Sequence, residues 1–223
     1  MHGDSRAYRT KDGEENMRLN NTPVLETERL ILRKFTENDI EAILHIYKDP
    51  EVNTFLPWFP IETMEEAKTL FEESYAREYE KMRGYKYAVC LKSDNVPVGY
   101  VHVSTDDSYD LGYGLRKEFW HRGIITEAAK AVLIQLQEDG YSYITATHDV
   151  RNYHSGAVMR RLGMNYQYTY EEQWQPKDIP VTFRMYQLNF DNGSIRRYDK
   201  YWIVSKVHYV EDEQELFADV RKD

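Results

Sequence analysis

Apolar positions along the chain change period several times, and each change marks an element. Leu30–Phe35 (LILRKF) reads as a first strand. Ile40, Ile43, Leu44 and Tyr47 then share one face of a helix opened by Thr36-Glu-Asn-Asp39, a capping-box pattern, and stopped by Asp49-Pro50. Asn53–Pro60 is aromatic and proline-rich, an ordered loop rather than a linker. A second box, Thr63-Met-Glu-Glu66, opens a longer helix whose apolar face runs Ala67, Leu70, Phe71, Tyr75, Tyr79 and Met82. From Gly84 the period falls to two. Tyr85–Lys92 and Val96–Ser104 form strands around the Ser93-Asp94-Asn95 turn, and Asp110–Leu115 is a third strand after Asp106-Asp107-Ser108.

The period returns to helical where Ile125, Ala128, Ala129, Val132, Leu133 and Leu136 recur on one face, with Gly140 as the stop. Tyr143–His148 is the next strand, and strand, helix, strand in that order implies a parallel crossover pair. Asn152 caps a short helix, with Ala157, Val158 and Leu162 expected inward and Gly163 ending it. Met164–Glu171 and Val181–Phe190 read as strands, followed by the turn Asp191-Asn192-Gly193. Beyond it, Tyr201–Val210 reads as a strand and Glu211–Val220 as a weak helix. Residues 1–22 are polar and aperiodic, a flexible arm, and the pattern is compatible with translation starting at Met17. The expected organisation is therefore an arm (1–22), one α/β domain (23–190) and an ordered extension (191–223). That extension would add a strand to the sheet edge or make a homodimer contact.

One turn carries chemistry by its position. His121-Arg122-Gly123 links the Asp110–Leu115 strand, through Arg116–Trp120, to the central helix. A glycine there frees backbone N–H groups to point outward beside the positive end of a helix, which suits a phosphate. An ordinary helix N-terminus is the alternative.

Composition narrows the partners. The 41% hydrophobic content supports a full core. A net charge of −9 argues against a nucleic-acid footprint and is compatible with a cationic substrate such as an amine. The single cysteine, Cys90, excludes an internal disulfide, fits a reducing compartment, and reads as a buried structural thiol. No apolar run reaches the length of a membrane span and no signal-peptide core is visible, so a cytoplasmic protein is expected. Nineteen tyrosines make a Tyr-lined cleft plausible, although core and surface Tyr are the ordinary use. There is no Walker loop, no HExxH and no GxSxG, and the histidines lack metal-ligand spacing, so no metal is expected. Gly112-Tyr-Gly114 is not a dinucleotide fingerprint, because Lys117 stands where its last glycine would be.

Thr27–Ile43, Val96–Ser104, Leu111–Ala128 and Asn152–Met164 together resemble, in order, the strands, cofactor loop and cofactor-facing helix of the GNAT N-acetyltransferase superfamily. The likeness is to its branch of ribosomal-protein N-terminal (RimJ/RimL-like) acetyltransferases and spans roughly 24–190. It implies an α/β (α+β) fold, a three-layer αβα sandwich on a mixed, splayed central sheet, with acetyl-CoA held where two strands part. By the same resemblance, Arg122, Gly123, Ile124, Ile125 and Thr126 would donate to the pyrophosphate. Leu115 and Arg116 would supply main-chain groups along the pantetheine and to the thioester oxygen. Asn152 would bind the pantetheine arm, a role compatible with capping its helix. Ser155 would serve the departing thiolate, with a plain helix hydroxyl as the alternative. For the general base, Asp110 and His102 are the strand candidates, each with a structural alternative, and His121 and His148 lie near the cofactor ends.

The pattern departs from the family at four points, one of them His121, which stands where a Gly commonly follows the Trp120 usual for this branch. Trp120 and Ile125 occupy the first and last positions of the usual loop, and Met159 stands where a Tyr acid is frequent. The implied activity is direct acetyl transfer from acetyl-CoA to a primary amine on a protein N-terminus or a small molecule. A non-catalytic acyl-CoA sensor or interaction module is the rival. A nucleotide-binding domain unrelated to CoA would show ATP competing with CoA.

Overall fold

The structure is a computed structural model and describes residues 21–191, 193, 195–212 and 216. The expected arm up to Asn20, the Met17 start, the centre of the 191–193 turn and most of the expected 211–220 helix lie outside the described residues.

Two antiparallel sheets make up the centre. The first has the order β1 (Leu25–Glu26), β2 (Leu30–Arg33), β3 (Tyr85–Leu91), β4 (Pro97–Val103), β5 (Leu111–Leu115). The second runs β6 (Tyr143–Asp149), β8 (Ile179–Asn189), β7 (Asn165–Trp174), β9 (His208–Tyr209). They meet at one parallel bridge, Asp110 to Thr145. The expected parallel pair is thus a single contact from which β5 and β6 part, the splayed sheet the resemblance implied.

Helices cover both faces. On one lie α1 (Ile40–Tyr47) and α2 (Met64–Phe71), the latter continuing through a π-helical turn (Glu72–Ala76) into α3 (Arg77–Tyr79). Phe35, Ile43, Ile46, Phe71 and Tyr75 pack there against Ala88, Cys90 and Tyr100 of the sheet. Both helix starts are built as the capping pattern required. Asp39 accepts from the Thr36 N–H at 2.8 Å, and Thr63 Oγ1 accepts from the Glu66 N–H at 3.2 Å. Met82, expected on the buried face, is 89% exposed, because the helix ends at Tyr79 before that face returns. Cys90 is fully buried, and burial pushes its thiol up to about 12, which makes it inert.

On the opposite face lie α4 (Ile124–Glu138) and α5 (Tyr153–Arg161), whose Ala128, Ala129, Val132, Leu136 and Met159 complete the main core with Leu30, Val101, Leu111 and Ile144. In α5, Gly156 and Met159 turn inward, while Ala157 and Val158, expected inward, are only partly covered. The nine-residue helix lies close on β6, and its small Gly156 meets the sheet: a Cβ there would stand 2.6 Å from His148 Nε2.

The C-terminal reading needs a correction. The apolar run from Tyr201 forms α6 (Lys200–Val204), not a strand; only His208–Tyr209 is extended, pairing with β7 as β9. Tyr198, Tyr201 and Trp202 pack on Tyr168 and Tyr170, so the aromatic spacing serves a helix laid across the second sheet.

Candidate acetyl-transfer site

The site follows from the parting of β5 and β6. Beyond the Asp110–Thr145 bridge no ladder joins Gly112–Leu115 to Ala146–Asp149, so the two strands form a wedge with main-chain edges on its walls. At the β5 end, the Trp120 indole N–H donates to the Leu115 carbonyl at 2.8 Å and folds the linker back on the strand. His121 (φ +57°) and Gly123 (φ +72°) both take left-handed backbone in the tight turn that follows. The Glu127 N–H makes the first helical bond, to the Gly123 carbonyl at 3.0 Å. The N–H groups of Gly123, Ile124, Ile125 and Thr126 therefore stand ahead of the α4 ladder, at the positive end of the helix. Ile124 and Ile125 bury their side chains in the core, so Ile125 offers its N–H without obstructing the turn.

A cleft of about 610 Å³ opens at this turn, bordered by His121, Gly123, Thr126, Lys130 and Arg161 and by the carboxylates of Glu28 and Glu127, the latter engaged by Arg29. Lys130 and Arg161 add positive charge where the helix end is positive. The turn is anchored from a distance. The Arg29 side chain donates to the Arg122 carbonyl (3.0 Å) and to Glu127 (2.7 Å), while Thr27 Oγ1 donates to Glu127 Oε1 (2.5 Å). Arg29, Thr27 and Glu127 escaped the sequence reading because they stand about a hundred residues apart, with no local signature.

Of the two main-chain groups expected beside a thioester, one is committed elsewhere. The Arg116 N–H donates to the Val98 carbonyl at 2.9 Å and its carbonyl accepts from the Phe119 N–H at 3.0 Å. By alternation along the strand, the Leu115 N–H points the other way, into the wedge. Leu115 is left as the donor.

Asn152 caps α5, its Oδ1 accepting from the Ser155 N–H at 3.2 Å. Ser155 in turn meets Tyr113 of β5: the Tyr113 hydroxyl lies 2.8 Å from Ser155 Oγ and donates to the Ser155 carbonyl at 2.9 Å. Tyr113 was missed, although a tyrosine between two strand glycines is a visible signal. Met159 is 1% exposed in the core and cannot fill the acid role of the tyrosine it replaces.

The candidate bases separate clearly. His102, paired with Gly112, is on the same sheet face as Asp110 but is enclosed there, stacked on Tyr100 (4.5 Å) and edge-on to Tyr75 (5.4 Å), with its Nε2 buried and unpartnered. Burial, reinforced by Lys86, drives its pKa down to about 3. His148 is buried against α5, its Nδ1 on the Asp149 carbonyl at 2.8 Å, and burial lowers it to about 4. His121 lies in the Gly123 turn beside His154, with ring centroids 5.2 Å apart. Asp110 stands at the apex of the wedge. Burial raises its carboxyl to about 7, against a long hydrogen bond from Thr145 Oγ1 (3.4 Å) and with the Glu172 charge reinforcing the rise.

Asp110 and Gly112 share the face opposite Tyr113, and a Cβ at Gly112 would meet nothing within 4 Å, so that face is open at Gly112, whereas Tyr100 covers it at Gly114. Beside it, a second cleft of about 870 Å³ lies between the 106–108 turn, β7 and α6. Asp106, Asp107, Glu171, Glu172, Tyr170 and Tyr201 border it together with Lys200 and Lys206, an aromatic surface in which carboxylates outnumber cations. Among the described residues, no three His, Cys, Asp or Glu side chains gather as a metal site requires, and no helix is long and apolar enough to cross a membrane.

The GNAT acetyltransferase domain family matches residues 29–165. The chain belongs to that family. The uncharacterized N-acetyltransferase YoaA of Bacillus subtilis is 25% identical over 171 residues, covering 74% of this chain and 96% of that protein. A GNAT-family acetyltransferase from Bacillus anthracis shares the fold with a TM-score of 0.65 at 22% identity, covering 75% of this chain and 98% of that one. The ribosomal-protein-S5-alanine acetyltransferase of Vibrio fischeri does so with a TM-score of 0.61 at 17% identity, covering 77% and 99%. This GNAT acetyltransferase carries the family's turn and wedge, and its own residues fit acetyl-CoA. Free N–H groups and two cations border the Gly123 turn, where a pyrophosphate would fit, and the unpaired edge of β5 offers main-chain groups that an extended amide arm could use.

Proposed function

We propose that the protein transfers the acetyl group of acetyl-CoA directly to a primary amine, with the two ends of the reaction on opposite faces of β5. The observation that carries this reading is the wedge that opens at Asp110–Thr145 and leads to the Gly123 turn. Bound there, acetyl-CoA supplies an activated acyl group. The N–H groups of Gly123–Thr126, helped by Lys130 and Arg161, hold the pyrophosphate. Asn152 reaches the pantetheine with its amide NH2, its oxygen being taken by Ser155. The Leu115 N–H polarises the thioester oxygen and stabilises the charge that develops on it.

The amine enters from the cleft beside Asp110, whose acidic rim favours a cation before its proton is lost. Asp110 takes that proton, directly or through water, at a pKa matched to neutral solution. The nitrogen bonds to the acetyl carbon, the carbon–sulfur bond breaks, and the Ser155 hydroxyl donates a hydrogen bond to the thiolate as it departs on the other face. Attack leaves the nitrogen with one proton more than the amide keeps; the first proton has by then left Asp110 for solvent, and this second one passes by the same carboxylate and solvent to sulfur.

A non-catalytic acyl-CoA sensor is the second reading, favoured by the burial of Met159 where a tyrosine acid is frequent. One pair of measurements separates the two. Calorimetry should show acetyl-CoA binding at micromolar concentration, and a thiol-release assay over a panel of amines, N-terminal peptides included, should show turnover for at least one. Binding without thiol release across the panel would establish the sensor; no binding at all would overturn both.

A further inference from the structure

The Tyr113 hydroxyl is held at two points by a single residue of α5, the Ser155 hydroxyl at 2.8 Å and the Ser155 carbonyl at 2.9 Å. A phenol has one proton and can serve only one of these oxygens at a time. When it donates to the carbonyl, the serine proton is directed to the phenol oxygen and is unavailable to the wedge. When it donates to Ser155 Oγ instead, it occupies the serine oxygen, turns the serine proton away from the tyrosine and strengthens that O–H as a donor, an effect that a phenyl ring cannot supply. We propose that Tyr113 is a positioning residue which, by moving its hydrogen bond from the Ser155 carbonyl to Ser155 Oγ, turns the serine proton onto the departing sulfur.

This inference rests on the acetyl-transfer reading above, and three features of the chain support it. Tyr113 lies with Leu111 and Leu115 on the face of β5 that looks toward α5, and its hydroxyl reaches Ser155 there. Burial raises its pKa, which keeps the phenol neutral and able to donate throughout the working pH range. Met159, the residue at the family's usual acid position, is buried and carries no proton to give. A strand tyrosine acting through a helix serine thus stands in for a helix tyrosine acting directly. Tyr113 keeps its proton from start to finish. Only the direction of its hydrogen bond changes, and Ser155 donates to the thiolate without losing a proton to it.

A double-mutant cycle tests the arrangement in the full-length protein, with acetyl-CoA and whichever amine the panel identifies. Tyr113→Phe keeps the ring and removes the hydroxyl. It should lower kcat about tenfold, the worth of one hydrogen bond to a developing charge, with KM for acetyl-CoA within about twofold of wild type. Ser155→Ala should also lower kcat, and the double variant should be no slower than Ser155→Ala alone, because Tyr113 acts only through Ser155. A merely structural tyrosine would instead give losses that multiply, or a raised KM. Either result, or a Tyr113→Phe enzyme with wild-type kcat, overturns the proposal. If Tyr113→Phe does not fold, Tyr113→Met takes its place in the cycle; if neither folds, the hydroxyl is structural and the proposal falls. Active wild type with an unaffected Tyr113→Phe would leave the acetyl-transfer reading intact. Wild type that binds acetyl-CoA but releases no thiol would overturn that reading and this inference together.

Discussion

Two groups that looked alike as bases in the sequence, Asp110 and His102, are separated by their surroundings. Both stand on strands and can accept a proton, but His102 is clamped among Tyr100 and Tyr75 with a pKa near 3, whereas Asp110 sits at the wedge apex near 7. The consequence is measurable. If Asp110 is the base, kcat/KM rises with pH through about 7 and levels off above it, and Asp110→Asn removes that rise and lowers activity about a hundredfold. If His102 were the base, the profile would be flat from pH 5 upward. Stability moves in the opposite sense. Between the ordinary value of 3.8 and the folded value of about 7, the folded state holds a proton that the unfolded state has lost. This group's contribution to stability therefore falls as pH rises through that window and is constant above it, so Asp110→Asn should flatten the decline of Tm over the same range. None of this is legible in the sequence, because the shift is produced by burial and by Glu172, 62 residues away in β7.

At the scale of elements, the sequence reading was strongest where a rule is local. The capping boxes at Thr36 and Thr63, the Asn152 cap, the β3–β4 hairpin and the helix after Gly123 depend on neighbours within a few residues, and the structure has all of them. It failed where tertiary contacts decide the outcome. The Tyr201–Val210 run alternates well enough for a strand, yet the exposed aromatic face of β7 draws Tyr201 and Trp202 into a helix laid across it. The inward face of α5 turned on a close approach to His148 that only Gly156 allows. The turn at Gly123 was read correctly as a glycine turn, while its anchoring by Arg29 and Glu127 was invisible. That element carries its own prediction. A Cβ at Gly123 would have Arg29 Nη2 as its nearest neighbour, at 3.7 Å, so there is room, and the obstacle is the backbone at φ +72°. Gly123→Ala should cost about 1 kcal/mol of stability and weaken acetyl-CoA binding modestly. Gly123→Glu should fold comparably but bind no acetyl-CoA by calorimetry, because its carboxylate faces the pyrophosphate site. Equal loss in both variants would show that the turn acts by shape alone.

At the scale of the whole molecule, the segment after β8 closes the second sheet and supplies one wall of the cleft proposed to admit the amine. α6 brings Tyr201 and Lys200 to the cleft rim, and Lys200 pairs with Asp107 of the β4–β5 turn at 3.1 Å, tying the segment to the first sheet. The segment is fastened further along by a buried ion pair. Arg184 of β8 donates to Glu211 at 2.6 Å and 3.0 Å, the two side chains are 8% and 6% exposed, and Thr169 of β7 hydrogen-bonds the same carboxylate. Removing one partner of such a pair is costly because the other charge stays in a poorly solvated place. Glu211→Ala should therefore lose about 3 kcal/mol, a fall in Tm of roughly 6 to 12 °C, whereas Glu211→Gln, which keeps the shape and part of the hydrogen bonding, should lose less. The effect on function should separate the two ends of the site. The proposed acetyl-CoA position is at the Gly123 turn, on the far side of the wedge from α6, so acetyl-CoA affinity in Glu211→Ala should stay near wild type below the new Tm. KM for the amine should rise, since the cleft wall that Tyr201 helps to form is loosened. An unchanged amine KM beside a lowered Tm would show that the segment stabilises the sheet without shaping the acceptor site. A lost acetyl-CoA affinity would mean that the two faces of the wedge are coupled through β7 and β8.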